Sequence, residues 1–399
     1  MRRVFSKAVA FFAAFLLLLF FTNDFGLIDI HSTSIVTAIG IDAAEEGGLD
    51  VTAQIAVPDS SGTGGASNVT VEGAATMGEA IAELNRRTGW YPTLVHCRLI
   101  LLGEQTAEKD VFTVLDYFLR SEFVEDSCLV AVCSGTAKEL FSAKTPAGDL
   151  TSSAVTKVLS DEAQKTGRIT AINLRDFTKG YFSEGRSGFL PFLAAKQEAS
   201  GDSGAPQSGG VAAAAQEGGQ AQGQKNGEEI IDAARTMLFA GGKRAAVLDD
   251  EETLAFNLAC SPTDLAEGKV TVLEEGEEVT YSLKMKIKKR SVKADAPGGV
   301  PRLTFRIRVA AQVTDANKSA SLVEIAETSI VPEHVLRAAE EKFKTLLSSV
   351  LEKASAAGCD LFDAAQKLHR FHPRAYNEVK DLLPQGLRPA FDIRFDTLR

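Results

Sequence analysis

The sequence predicts a mixed α/β (α+β) protein: three domains, each a β-sheet with packed helices, behind an N-terminal membrane anchor. Three observations carry this. Segments with an apolar period of two alternate with segments of helical period through the first half of the chain. Long runs of alternating apolar and polar residues dominate 269–316, and helical patterns follow them. An uninterrupted apolar block, residues 8–21, sits behind Arg2, Arg3 and Lys7. The expected division is a signal/anchor helix at 1–28, an N-terminal α/β domain at 29–195, a disordered linker at 196–227, a middle hairpin-helix domain at 228–268 and a C-terminal α/β domain at 269–399.

Cations before an apolar core make the layout of a secretory signal. The block is 14 residues long, and a spanning helix needs about 20. No small-x-small cleavage site follows, because Thr22, Asn23, Asp24 and Phe25 come next. The helix is expected to stay attached, with its charged end cytoplasmic and the remainder of the chain outside.

STSIVTAIGID and LDVTAQIAV flank a Glu-Gly-Gly turn and read as a hairpin. PDSSGTGGASN reads as a loop. MGEAIAELNRRTG, 77–89, has Ala80, Ile81 and Leu84 at helical spacing and Gly89 as its C-cap. LVHCRLILLG, 94–103, is apolar on both faces and reads as a central strand. The helix expected over 108–121 buries Val111, Val114, Leu115, Phe118 and Leu119. CLVAVCSG is the next strand. Thr136 then caps a short helix, with Glu139 completing a capping box. Helical segments fill 152–184. Residues 196–227 are nearly all Gly, Ala, Ser and Gln, a composition that cannot offset the entropy of ordering.

Beyond it, a strand ends at Phe239, turns at Gly241-Gly242 and returns over 244–248. Asp249 or Asp250 caps a helix through Phe256. A hairpin crosses EEGEE, and a third strand follows from Pro301. A helix over 333–354 points Val335, Leu336, Ala339, Phe343, Leu346 and Leu347 inward. Two shorter helices break at Pro373, and FDIRFDTL closes the chain as a strand.

The formal net charge is −10, so nucleic acid is not expected as a partner. The basic stretch KMKIKKR, 284–290, alternates Met285 and Ile287 against lysines and reads as one solvated strand face. Five cysteines, an odd and widely spaced set, argue for buried thiols rather than a disulfide framework. No phosphate-binding glycine loop, HExxH or GxSxG is present. His369 and His372 could share a helix face, and a zinc site would need a third ligand, for which Asp360 and Asp363 lie near; the two histidines read instead as residues that cap and pack the 360–373 corner. His96 and Cys97 are neighbours that point to opposite faces. No catalytic set, cofactor site or metal site is therefore expected, and the chain reads as a binding or assembly protein rather than an enzyme. An accessory or substrate-binding module of an envelope transporter is the alternative.

Three stretches carry a family resemblance: SIVTAIGIDAAEEGGLDVTAQIAVP; TLVHCRLILLGEQTAEKDVFTVLDYFLRSEFVEDSCLVAVCSGTAKELFSAKTP; and DLFDAAQKLHRFHPRAYNEVKDLLP. With FAGGKRAAVLDDEETLAFNLA between the last two, their order and spacing resemble the Ger(x)C family, the C subunits of bacterial spore germinant receptors. The resemblance spans about 30–195 and 229–398. It implies three mixed α/β domains and a non-catalytic lipoprotein on the outer face of the spore inner membrane. It also implies assembly with two integral membrane subunits and a part in nutrient-triggered germination. One departure stands out. The family carries a lipid-attachment cysteine just after the apolar run, whereas the first cysteine here is Cys97. A retained helix would take the lipid's place. Within the matched motifs, Arg98 and the corner residues Asp360, Arg370 and Pro373 are the expected interface candidates. The alternative reading pairs Arg98 with a carboxylate beside its strand and has the corner only terminate a helix.

Overall fold

The structure, a computed structural model, describes residues 11–15, 33–45, 47–57, 65–143, 151–197, 229–262, 264–317 and 331–398. The anchor at 1–28, apart from an exposed helical turn at 11–15, lies outside them. So does the Gly/Ala/Gln-rich stretch, apart from Lys196 and Gln197. Among the described residues, no helix is long and apolar enough to cross a membrane.

Two sheets organise the chain. Strands β1 (Thr33–Ala43), β2 (Leu49–Val57), β3 (Gly65–Ala74), β4 (Tyr91–Thr93), β5 (Leu99–Gly103), β6 (Leu129–Cys133), β7 (Ser187–Gln197), β8 (Glu229–Ala240) and β9 (Lys243–Leu248) form the first. Its order is β3-β2-β1-β5-β6-β7-β8-β9, with β4 paired to β1. Strands β10 (Leu265–Glu274), β11 (Glu277–Asp295), β12 (Arg302–Ala316) and β13 (Arg388–Thr397) form the second, in chain order. The helices are α1 (Met77–Thr88), α2 (Glu104–Ala107), α3 (Phe112–Arg120), α4 (Ala137–Ser142), α5 (Thr151–Val158), α6 (Asp161–Gln164), α7 (Leu174–Tyr181), α8 (Asp250–Cys260), α9 (Glu333–Ala356), α10 (Ala364–Phe371) and α11 (Pro373–Val379).

The first sheet is covered on both faces, which is why β5 is buried along its whole length. Its alternate residues feed two cores. Ile100 and Leu102 join Leu84 of α1, Leu115 and Phe118 of α3 and Phe177 of α7. Leu99 and Leu101 join Leu140 and Phe141 of α4 and Val155 of α5. The third core fills the space between the second sheet and α8, α9 and α10, and it takes in Leu238 and Leu248 of the first sheet.

Local signals place most elements where the sequence puts them. The β1–β2 hairpin runs in register from Ala43↔Leu49 to Ala38↔Gln54 and shifts by one residue before Val36↔Ile55. Thr136 and Glu139 form the capping box of α4, and Gly89 ends α1 at φ 70°. Met285 and Ile287 are buried while Lys284 and Lys286 are exposed. On α9, Val335, Ala339, Phe343 and Leu347 are buried, and Leu336 and Leu346 pack against the core's margin.

Three expectations are corrected. Residues 65–68, read as loop, begin β3, because Val69 and Val71 continue the alternation opposite Ala53 and Val51 and carry their neighbours into the ladder. The strand expected over 94–103 starts at Leu99. The stretch before it turns, with the Cys97 amide donating to the Leu94 carbonyl at 2.9 Å. The helix expected from 108 starts at Phe112, whose amide is taken by the Asp110 carboxylate at 3.0 Å.

One clamp holds α8 to α9. Glu252 closes the α8 capping box with Asp249 and also accepts from Lys353 Nζ and, at 2.9 Å, from Ser349 Oγ of α9. Burial by itself would raise the Glu252 pKa, but these donors together hold it below the usual 4.5. Losing one partner of a buried pair costs about 3–5 kcal/mol. Lys353 is partly solvated, so Glu252→Gln is expected to cost about 2 kcal/mol at pH 7. A depressed carboxylate stabilises above its unfolded pKa, and that contribution is lost as pH falls through the folded value. Urea melts at pH 7 and near pH 4 check this, and the difference between variant and wild type should narrow at the lower pH.

Candidate functional site

The two sheets meet where the turn after α7 approaches the segment between α9 and α10. The approach is close enough to need glycine: a Cβ on Gly185 would lie 2.7 Å from the Asp360 Cβ. The next residue, Arg186, is held at φ 42°. Asp360 is 2% exposed. Its Oδ1 accepts from the Ala364 amide at 2.7 Å and its Oδ2 from the Ala365 amide at 2.8 Å, so the carboxylate caps α10. Its own amide donates to Ser187 Oγ at 2.8 Å, which ties the cap to the first sheet. Burial pushes the Asp360 pKa up, and the two amides oppose that rise.

A second set of contacts brackets the first. Glu184 Oε1 lies 2.9 Å from His369 Nδ1, and Tyr376 Oη donates to Glu184 Oε2 at 3.0 Å. The His369 and Tyr376 rings are 5.0 Å apart. Burial, and then the bond to Glu184, raise the Tyr376 pKa. A cleft of about 570 Å³ opens beside this junction, lined in part by Lys179, Phe182, Phe189, Leu361, Asp363 and Gln366. Lys179 is already paired with Asp176.

The four expected interface residues fall in different settings. Asp360 faces inward and acts on the fold of the corner. Arg370 is exposed, with its guanidinium 5.3 Å from the Phe371 ring centroid, and Phe371 itself is 65% exposed. Pro373 is exposed at the first position of α11, where its missing N–H costs nothing. Arg98 lies two strands away, just before β5. Its amide donates to the Thr37 carbonyl and its carbonyl accepts from Leu129, both at 2.9 Å. Its side chain is exposed and makes no ion pair among the described residues, against the expectation of a carboxylate partner. Glu184, Gly185 and Ser187 are the junction residues that sequence reasoning missed. The signal for them was the SEGRSG turn.

No group of three or more His, Cys, Asp or Glu among the described residues is placed to hold a metal ion. Cys97 is buried and His96 is exposed. The five cysteines are free thiols. Cys128 lies against Cys97. The hydrogen bond between them and their burial push its pKa up. Burial pushes Cys359 up to about 12, far from a reactive thiolate.

The comparisons agree with this architecture. Residues 27–195 match the family model described as "Spore germination protein N-terminal domain", and residues 234–385 match "Spore germination B3/ GerAC like, C-terminal". The fold is similar to a crystal structure of the GerBC protein, with a TM-score of 0.51, 15% identity and coverage of 90% of this chain and 97% of that one. No curated protein matches the sequence. With both family models matched in order over most of its length, the chain belongs to the GerAC-like spore germination family, the C subunits of germinant receptors.

Proposed function

We propose that this chain is a non-catalytic subunit of a germinant receptor, needed for nutrient-triggered germination. It is tethered by its N-terminal apolar run to the outer face of the spore inner membrane. There it assembles with two integral membrane subunits, needs no cofactor, and acts as a scaffold. The observation that carries this reading is the ordered pair of family matches, one on each side of the 198–228 stretch. The hydrogen bonds and ion pair that join Asp360 to Ser187 and Glu184 to His369 and Tyr376 support a structural over an enzymatic role for the junction.

The exposed Arg98, Arg370 and Pro373 are the proposed contacts with the membrane subunits, and Asp360 holds the corner that presents the latter two. Spores lacking the chain are expected to lose germination on at least one nutrient while keeping nutrient-independent germination. In membrane extracts, the two integral subunits are expected to co-purify with the wild type. Arg98→Ala and Arg370→Ala should weaken that recovery without lowering the melting temperature. Normal nutrient germination without the chain would overturn the proposal, as would full recovery of both subunits with the double variant.

A further inference from the structure

Large apolar side chains gather, exposed, at one end of the first sheet. Trp90 is 50% exposed, Tyr91 43%, Val95 43%, Phe123 41% and Ile35 36%. Topology brings them together. Strand β4 runs parallel to the start of β1, with Thr33 opposite Tyr91 and Ile35 opposite Thr93. Val95 follows β4 in the turn that leads to β5, and β5 and β6 run parallel to β1, so their starts share this end. Phe123 lies in the loop that enters β6. Tyr91 and Phe123 line one groove of about 740 Å³, together with Tyr117.

The same end receives the chain from its apolar N-terminal run. Eleven residues separate Phe21 from Thr33, a connection that spans at most about 40 Å when fully extended. The covalent tether therefore holds the Trp90 end of the sheet nearest whatever the run is embedded in. Trp and Tyr are the side chains that settle at a membrane–water boundary, with the ring against the acyl region and the polar atom at the headgroups. The loop around Phe123 also carries exposed Glu122, Glu125 and Asp126. These acids disfavour anionic headgroups, so the attraction is one of aromatic and aliphatic surface, not of charge.

We infer that this sheet end, formed by Ile35, Trp90, Tyr91, Val95 and Phe123, is a bilayer-docking surface that inserts its side chains into the interfacial layer of the membrane. The inference rests on the tethered reading above and adds the face that the protein turns to the lipid. Strand β7 also runs parallel to β6, so Ser187 and the Asp360 corner bonded to it stand at this same end of the sheet.

Trp90 is the sole tryptophan of the chain, so its emission reports this surface alone. The test uses the full chain, reconstituted into phosphatidylcholine vesicles with ordinary or brominated acyl chains. Flotation of the vesicles reads the tether, and quenching reads the docking. Expected are flotation with the vesicles, about a two-fold loss of Trp90 emission on brominated lipid, and no gain on adding anionic lipid. Tyr91→Ser combined with Phe123→Ser keeps the reporter and is expected to reduce the quenching while flotation persists. Flotation with Trp90 unquenched and open to iodide would overturn the docking surface and leave the tether standing. Absence from the floated fraction would remove both. Shielding of Trp90 only in complexes co-purified with membrane subunits would give the surface to a protein partner and overturn the lipid assignment.

Discussion

Phe362→Ala is expected to be the most damaging single substitution, at about 4 kcal/mol, in the range for emptying a buried phenylalanine site. Phe362 is 2% exposed. It stands edge-on to Phe305 of β12 at 5.0 Å and to Phe256 of α8 at 5.9 Å. Phe256 in turn meets Phe189 of β7 at 4.9 Å, and Phe305 stacks on Phe391 of β13 at 5.4 Å. This row of rings runs from the first sheet to the closing strand, so a hole in its middle cannot collapse without moving both. The melting temperature should fall by about 12 °C, from the usual few degrees per kcal/mol at this size. Phe362→Leu, which keeps most of the volume, should cost less than half as much. Near-equal melting of wild type and Phe362→Ala in circular dichroism would contradict the packing described.

Asp360→Ala is expected to cost about 3 kcal/mol, because two amides at the start of α10 lose their acceptor in a site closed to water. Asp360→Asn keeps one acceptor oxygen and should cost about half of that. Both variants also lose a pH response that the wild type has. The folded pKa of Asp360 is raised above the usual 3.8, so the native state holds its proton more tightly than the unfolded chain does. Its contribution is full below the unfolded value and is lost as pH rises through the raised folded value. Denaturant melts from pH 3.5 to 7 should show this slope in the wild type, and Asp360→Asn should remove it.

The sequence announced those elements whose cause is local. The Thr136–Glu139 capping box, the β1–β2 hairpin and the inner stripe of α9 are each set by residues within a few positions of one another. β3 escaped because its first four residues, GASN, have no strand propensity of their own and are ordered by pairing with β2. The junction escaped for a related reason. Asp360 reads as one more acid in a polar stretch until its amide meets Ser187, 173 positions earlier in the chain. Arg98 and Arg370 could be singled out only through the motifs around them, since an exposed arginine leaves no periodic trace.

The parallel pairing of β12 with β13 joins strands that are distant in the chain, which bears on the expected order of folding. The register runs unbroken from Arg302↔Arg388 to Ala311↔Thr397, so the two strands lie more than eighty positions apart in the chain. Hairpins β1–β2 and β10–β11 can zip as soon as their turns form, whereas this ladder must wait for α9 to dock and carry the chain back. Such distant pairing is slow, because the entropy of closing the connection is lost before any contact compensates it. Until the final strand arrives, β12 presents an open row of backbone donors and acceptors, the species most exposed to misassociation during folding. Completion of the second sheet, with its Phe305–Phe391 stack, is thus expected late in folding.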